Sequence, residues 1–240
     1  MIKEKQDLII KVNELLINRF GIPPRNKKLP DPVEMLIATI LSQNTNDRNS
    51  YQAYQNLKKK FSDWTEILKT PVGVIEKEIK VAGLGKQKSK AIKNFVKQLY
   101  EKEGKLSLKY LDNFLSDEAI KDLTSFKGVG VKTASCVLLF AMDRNICPVD
   151  THVHRTVNRI GIVNAGAPDK TFFLLNENFP EKKAHSFHTN LIRLGREICK
   201  PQKPVCAVCP LEKICGFEDK NYDSKSSSKE ISFMLLDNIQ

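Results

Sequence analysis

Four cysteines, Cys199, Cys206, Cys209 and Cys215, stand at the spacing C-x6-C-x2-C-x5-C. Thiolates so close in sequence can surround one metal centre, and tetrahedral all-sulfur coordination belongs to zinc or to an iron–sulfur cluster. Structural zinc sites usually use two short C-x2-4-C pairs. Here only Cys206 and Cys209 make such a pair. One short loop flanked by two longer ones suits the larger cube of a [4Fe–4S] cluster better than a single ion, and zinc stays as the alternative. Two further residues could carry chemistry. Lys132 sits at the edge of an apolar helix, just past a glycine-rich turn. A phosphate contact or a solvated side chain is the plainer role for it. An amine held neutral there could instead attack an electrophilic carbon and form a Schiff base. Asp150 lies in Pro148-Val149-Asp150-Thr151-His152, just before a helix. It reads first as an N-cap. A carboxylate held rigidly could also take a proton or stabilise a developing cation, with His152 orienting it or meeting a ligand.

The turn itself is Phe126-Lys127-Gly128-Val129-Gly130-Val131-Lys132-Thr133. Glycines at alternate positions allow positive φ and close backbone approach. A helix opening at Gly130 would point unpaired amides outward, which is a phosphate nest. The Walker loop and the dinucleotide fingerprint are both absent. A helix–glycine hairpin–helix is instead a way to grip a nucleic-acid backbone without reading bases. A tight structural turn is the plainer reading.

Charge agrees with a polyanionic partner. The 240 residues carry a formal net charge of +11 with 41% hydrophobic residues, enough for a sizeable core. Such an excess points first to nucleic acid and second to a membrane surface, for which no basic amphipathic anchor stands out; a solvated lysine-rich surface is the plainer reading. The charged segment from Met1 to Leu8 lacks the apolar run of a secretory signal. The longest apolar stretch, Cys136 to Met142, is far too short to span a bilayer. Cysteines used as ligands fit a reducing, cytoplasmic interior. Cys136 and Cys147 read as small buried residues.

Elements that would position these groups are all helical. Leu8, Val12, Leu15, Leu16 and Phe20 share one face over residues 5–20. Asp31-Pro32-Val33-Glu34 opens the next helix with an N-cap, a proline at the first position and a capping-box Glu. Helices come next over 47–60, from Ser62, from Thr70-Pro71, over 87–101, from Ser116, over 131–142, from Asp150, over 169–178 and over 182–199. His185 and His188, three apart, could share a metal, but ordinary helix roles explain them. Trp64 reads as a core anchor, Tyr51 and Tyr54 as core residues, and the Ser/Lys-rich 221–230 as a mobile stretch.

Taken jointly, Gly128-Val129-Gly130-Val131-Lys132-Thr133-Ala134, Val149-Asp150-Thr151-His152 and the four-cysteine set resemble the endonuclease III branch of the helix–hairpin–helix DNA glycosylases. Leu41-Ser42-Gln43-Asn44-Thr45-Asn46-Asp47 resembles that family's wedge segment, and Gly83-Leu84 with Lys88 the loop that fills the gap opposite an extruded nucleotide. The resemblance covers roughly residues 5–220. It implies an all-α, two-lobed fold with a DNA cleft. Residues 25–142 would form a six-helix bundle with the hairpin. Residues 1–24 with 143–220 would form an iron–sulfur lobe, and 221–240 a flexible tail. It implies a cytoplasmic, nucleoid-associated monomer, with no membrane partner, acting on double-stranded DNA that holds a damaged base or an abasic site. The implied activity is a bifunctional glycosylase and abasic-site lyase for oxidised pyrimidines, and base flipping is required because C1′ is unreachable inside the stack.

By this resemblance Lys132 is the Schiff-base lysine and Asp150 the catalytic aspartate. Cys199, Cys206, Cys209 and Cys215 hold the [4Fe–4S] cluster. Gln43, Asn44, Leu84, Lys88, Gly128, Gly130, Thr133 and His152 meet DNA, with either Gln43 or Asn44 filling the vacated stack. Lys200 and Lys203 would meet phosphates. Asp47 matches a family carboxylate, and helix capping explains it as well. Three departures stand out. Lys127 replaces the hairpin proline and should loosen the turn. Phe126 replaces a leucine. Gln43-Asn44 replaces Ala-Gln, which leaves the opposite-base preference open. A monofunctional mismatch glycosylase and a non-enzymatic iron–sulfur DNA-binding protein are the alternatives.

Overall fold

The computed structural model describes residues 2–25, 28–223 and 239, so most of the expected tail lies outside the described residues. Among them every regular element is helical and no strand occurs. The α-helices are α1 (Ile2–Phe20), α2 (Pro32–Ser42), α3 (Asp47–Lys60), α4 (Val72–Ile79), α5 (Gly85–Glu103), α6 (Ser116–Ser125), α7 (Val131–Ala141), α8 (Thr151–Ile160), α9 (Pro168–Asn176) and α10 (Ala184–Glu197). They fall into two compact units. One comprises the described residues of Asn26–Arg144 and Phe233–Gln240, the other those of Met1–Arg25 and Asn145–Ser232.

The first unit packs α2 to α7 around two helices that are apolar nearly all round. In α2 every residue from Val33 to Leu41 except Glu34 is buried, and in α7 every residue from Thr133 to Ala141. Such helices belong at a core, and α2 packs on α7. Local signals set the starts. Asp31 Oδ1 accepts from Val33 N at 2.8 Å, and Pro32 occupies the first helical position. Glu34 leaves the capping box and turns to α3, where Tyr54 Oη donates at 2.6 Å and the Lys58 ammonium pairs with it. Trp64 Nε1 adds a longer contact at 3.4 Å. The helix expected from Ser62 is a 3-10 turn, Trp64–Leu68, capped by Asp63.

In the second unit α1 packs on α10, α10 on α8, and α8 on α9. Phe187 and Leu191 of α10 and Val153 and Val157 of α8 are fully buried. The two helices meet at Gly195. A Cβ added there would lie 2.8 Å from His152 Cβ and 3.2 Å from Arg155 Nη2. The short cysteine segment comes after α10 as two 3-10 turns, Cys206–Val208 and Glu212–Ile214. Its backbone is tied at both ends, by Val205 N to Ile198 O at 2.9 Å and Cys206 N to Asn221 O at 3.0 Å.

Gly195→Ala should destabilise the protein by about 1–3 kcal/mol by forcing α8 from α10. Urea denaturation at constant slope measures it, and an unchanged midpoint would refute the close approach.

Candidate functional site

The hairpin is built by α6, the turn 126–130 and α7. Gly128 takes φ +97, and Val129 N closes the turn on Phe126 O at 3.0 Å. A Cβ at Gly128 would also lie 2.9 Å from Ala91 Cβ of α5, so both conformation and space demand glycine. Gly130 differs from the expectation for alternate glycines: its φ is −96, extended backbone open to any residue. No described side chain caps the first turn of α7, in contrast to the caps on α2, α3 and α8. Its amides therefore stay available to an anion.

Lys127 does not loosen the turn. Its backbone N–H, which a proline would lack, donates to Gln98 Oε1 of α5 at 3.0 Å. Phe126 is buried and meets Phe95 edge-on at 5.4 Å. Beside the hairpin opens a recess of about 240 Å³, lined by Gln43, Gln87, Lys90, Asn94, Lys127 and Gly128. Lys88 belongs to the same lining, so amide donors and three lysines flank the glycine turn.

Lys132 lies in the first turn of α7, half-buried, and its ammonium makes no hydrogen bond or ion pair with a described residue. Thr133, grouped with the DNA contacts on sequence, is buried, and its Oγ1 accepts from Gln43 Nε2 at 3.3 Å. It holds a neighbour instead of facing a ligand. Gln43 is thereby engaged, whereas Asn44 is exposed at φ +50. Leu84 is 49% exposed at φ +49. An exposed leucine in the left-handed region combines two unfavourable features, a marker of a functional tip.

Lys88 also departs from its expected role as a DNA contact. It is 1% exposed, and its Nζ donates to Leu41 O and Ala82 O, each at 2.8 Å. Burial pulls its pKa from 10.5 down to about 8. The cap of α3 is Asn46, whose Oδ1 accepts from Asn49 N at 2.9 Å, so capping does not account for Asp47.

In the second unit, Asp150 is held from both sides. Cys147 and Asn176 exchange two hydrogen bonds, at 2.7 and 3.0 Å. His188 Nδ1 lies 2.9 Å from Pro148 O, and Val149 is buried. Asp150 Oδ1 caps α8, accepting from Val153 N at 2.8 Å. His152 is half-buried, and burial pulls its pKa down against the opposing charge of Asp150, with Arg155 and Arg196 adding to the fall. His188 is a core residue with its Nδ1 against the Pro148 carbonyl.

Cys199, Cys206, Cys209 and Cys215 line one enclosed space of about 30 Å³, closed by Arg159, Pro204 and Phe217. No three His, Cys, Asp or Glu side chains among the described residues converge on a single ion. Four thiols around one space are the donor set that zinc and iron–sulfur clusters both take. Burial pushes the Cys209 thiol up to about 12 and Cys215 in the same direction. Thiolates there require a compensating cation. Arg159 donates to Cys199 Sγ at 3.5 Å and to the carbonyls of Lys200 and Pro201, and stacks 4.2 Å from the Phe217 ring. Arg155 donates to Cys199 O at 3.0 Å and Gly195 O at 2.8 Å. The helix that begins at Asp150 therefore also fastens the cysteine segment. Sequence reading missed both arginines. Their i, i+4 spacing off the apolar stripe of α8 was the available signal.

Helices arranged around an outward-facing glycine hairpin define a DNA-backbone-binding class of protein. A family model described as HhH-GPD superfamily base excision DNA repair protein matches residues 37–181. The chain belongs to that superfamily and to its endonuclease III-like DNA glycosylases. Endonuclease III of Thermotoga maritima is 34% identical over 202 residues, covering 84% of this chain and 89% of that protein. A solved non-covalent endonuclease III–DNA complex superposes with a TM-score of 0.72 at 27% identity, over 88% of this chain and 94% of that one. A thermostable thymine-DNA glycosylase, at 23% identity and a TM-score of 0.69, covers 90% of this chain and 97% of its own and shares the fold. No described helix is long and apolar enough to cross a membrane.

The folded pKa of Lys88 lies below its unfolded value, so from about pH 8 to 10.5 the unfolded chain binds the extra proton and stability rises with pH. Relative to Lys88→Met, the wild type should gain on the order of 3 kcal/mol across that window. Urea melts of both proteins at stepped pH check this, and a flat difference would contradict it.

Proposed function

We propose that this chain is a bifunctional glycosylase and lyase that removes oxidised pyrimidines from duplex DNA. The observation that carries the reading is Lys132: a half-buried amine without a partner among the described residues, in the same first turn of α7 as the uncapped amides. The hairpin amides, Lys127 and Lys90 would hold phosphates, with Lys200 and Lys203 adding contacts from the cysteine segment. Leu84 and Asn44 would enter the stack vacated by the flipped nucleotide.

The Lys132 amine attacks C1′ through its nitrogen lone pair. A C–N bond forms as the glycosidic bond breaks, and the base leaves with that bond's electron pair. Asp150 takes the proton released by the amine, and its negative charge favours the cationic sugar on the way. Ring opening gives an imine. Loss of a C2′ proton then breaks the C3′–O bond, and the 3′ phosphate leaves. Cys199, Cys206, Cys209 and Cys215 would hold a [4Fe–4S] cluster, which when bound cross-links a segment too polar to pack by itself. Arg159 and Arg155 fix the loop that presents those thiols.

A lesion panel in duplex oligonucleotides, scored separately for base release and nicking, tests the substrate class. Release of an oxidised pyrimidine is expected, and release of only mispaired adenine or thymine would replace the proposal with the mismatch reading. Borohydride should trap a covalent adduct with the wild type and none with Lys132→Ala. Normal incision of abasic DNA by Lys132→Ala would sink the lyase assignment. Asp150→Asn should slow base release by about 10²–10⁴-fold. The purified protein should contain about four irons per chain and a broad visible band, both lost in Cys206→Ser; stoichiometric zinc in their place would overturn the cluster.

A further inference from the structure

Lys88 is among the bulkiest side chains that have almost no exposure, and the rest of that group is apolar. It sits one turn into α5, and no carboxylate among the described residues pairs with it. Burying a cation without a counter-ion is costly, and an apolar side chain of the same length would fill the space without that cost. The choice of lysine points to the two carbonyls it reaches. Leu41 O lies in the last turn of α2, and Ala82 O at the end of the 3-10 turn Lys80–Ala82. Both are chain-end acceptors left over by their helices.

The residues just beyond each carbonyl give the pair its meaning. Leu41 stands three residues before Asn44, and Ala82 two residues before Leu84. Asn44 has φ +50 and Leu84 φ +49, and both are exposed. Each tip is thus a non-glycine residue in left-handed backbone, a conformation that persists only where its surroundings impose it. One ammonium fastens the roots of both loops. Gln43, between the first root and its tip, is steadied by Thr133.

We propose that Lys88 is a positioning residue: by holding Leu41 O and Ala82 O together, it sets the mutual spacing at which Asn44 and Leu84 enter the DNA helix. The ammonium's hydrogen bonds go to Leu41 O and Ala82 O, so Lys88 acts through the backbone of the two loops. Deprotonation leaves two N–H donors, so both bonds survive loss of the charge. The inference rests on reading Asn44 and Leu84 as intercalating tips.

The test uses the full chain and a duplex with a tetrahydrofuran abasic analogue facing 2-aminopurine, a base that brightens when unstacked. Wild type should raise the fluorescence. Lys88→Met should unfold cooperatively and bind undamaged duplex as wild type does, yet lose the rise and about 10- to 100-fold in affinity for the abasic duplex, as expected for ångström-scale misplacement. In wild type, Asn44→Ala and Leu84→Ala should be coupled in a double-mutant cycle, and in the Lys88→Met background that coupling should vanish. If Lys88→Met fails to fold, Lys88→Gln, one bond shorter, takes its place with the same two outcomes. A folded variant with an undiminished rise and intact coupling overturns the clamp. If Leu84→Ala and Asn44→Ala both leave the rise unchanged, the intercalation reading itself falls and takes the clamp with it. A loss of signal in Leu84→Ala but not in Lys88→Met removes the clamp alone.

Discussion

Long cationic side chains bind the C-terminal carbonyls of four of the described α-helices. The last carbonyls of an α-helix have no intrahelical partner and carry the negative end of its dipole. Here Lys88 takes Leu41 O at the end of α2, and Arg193 takes Phe20 O at the end of α1. Lys5 takes Leu174 O and Glu177 O at the end of α9, and Arg155 takes Gly195 O and Cys199 O at the end of α10. Each bond joins an element end to a distant part of the same unit. Part of the net charge of +11 is therefore structural, and a basic composition overstates the surface available to a polyanion.

This constraint is also how the functional segments are held. The cysteine segment has few apolar residues of its own, so Arg155 and Arg159 fasten it through backbone carbonyls and one thiol. The same helix starts at Asp150, whose approach is fixed by Asn176 and His188. The proposed catalytic carboxylate and the cysteine loop are thus joined by one rigid element. In the other unit, Ala91 and Gln98 of α5 back the hairpin turn, while Lys88 of the same helix braces the two exposed tips.

Backbone strain falls partly in these segments and partly elsewhere, since Asp143, Asn178 and Lys182 also lie at positive φ. Of the non-glycine residues at positive φ, Asn44 and Leu84 cap the two tips and Lys203 lies in the loop between Cys199 and Cys206. Left-handed backbone is costly for such residues and is tolerated where neighbouring bonds enforce it. At all three the segment coincides with one that the family resemblance assigns to nucleic acid or cluster.

The sequence by itself determined what local chemistry determines. Apolar spacing placed the helices, Asp31 and Asp150 announced helix starts, and the cysteine spacing announced a shared centre, because caps and periodicity act over a few residues. Family motifs singled out Lys132 and Asp150 as the proposed catalytic pair. Tertiary structure decided where long polar side chains end up. Lys88 and Lys90 are two residues apart on one helix, yet one is buried with its ammonium on two carbonyls and the other stays exposed. Lys127 tightens the turn only because Gln98 lies across from its N–H, and Gln43 is withdrawn only because Thr133 accepts from it. A lysine or glutamine chooses between solvent and a partner by what other parts of the chain bring within reach, and that is a property of the packed fold.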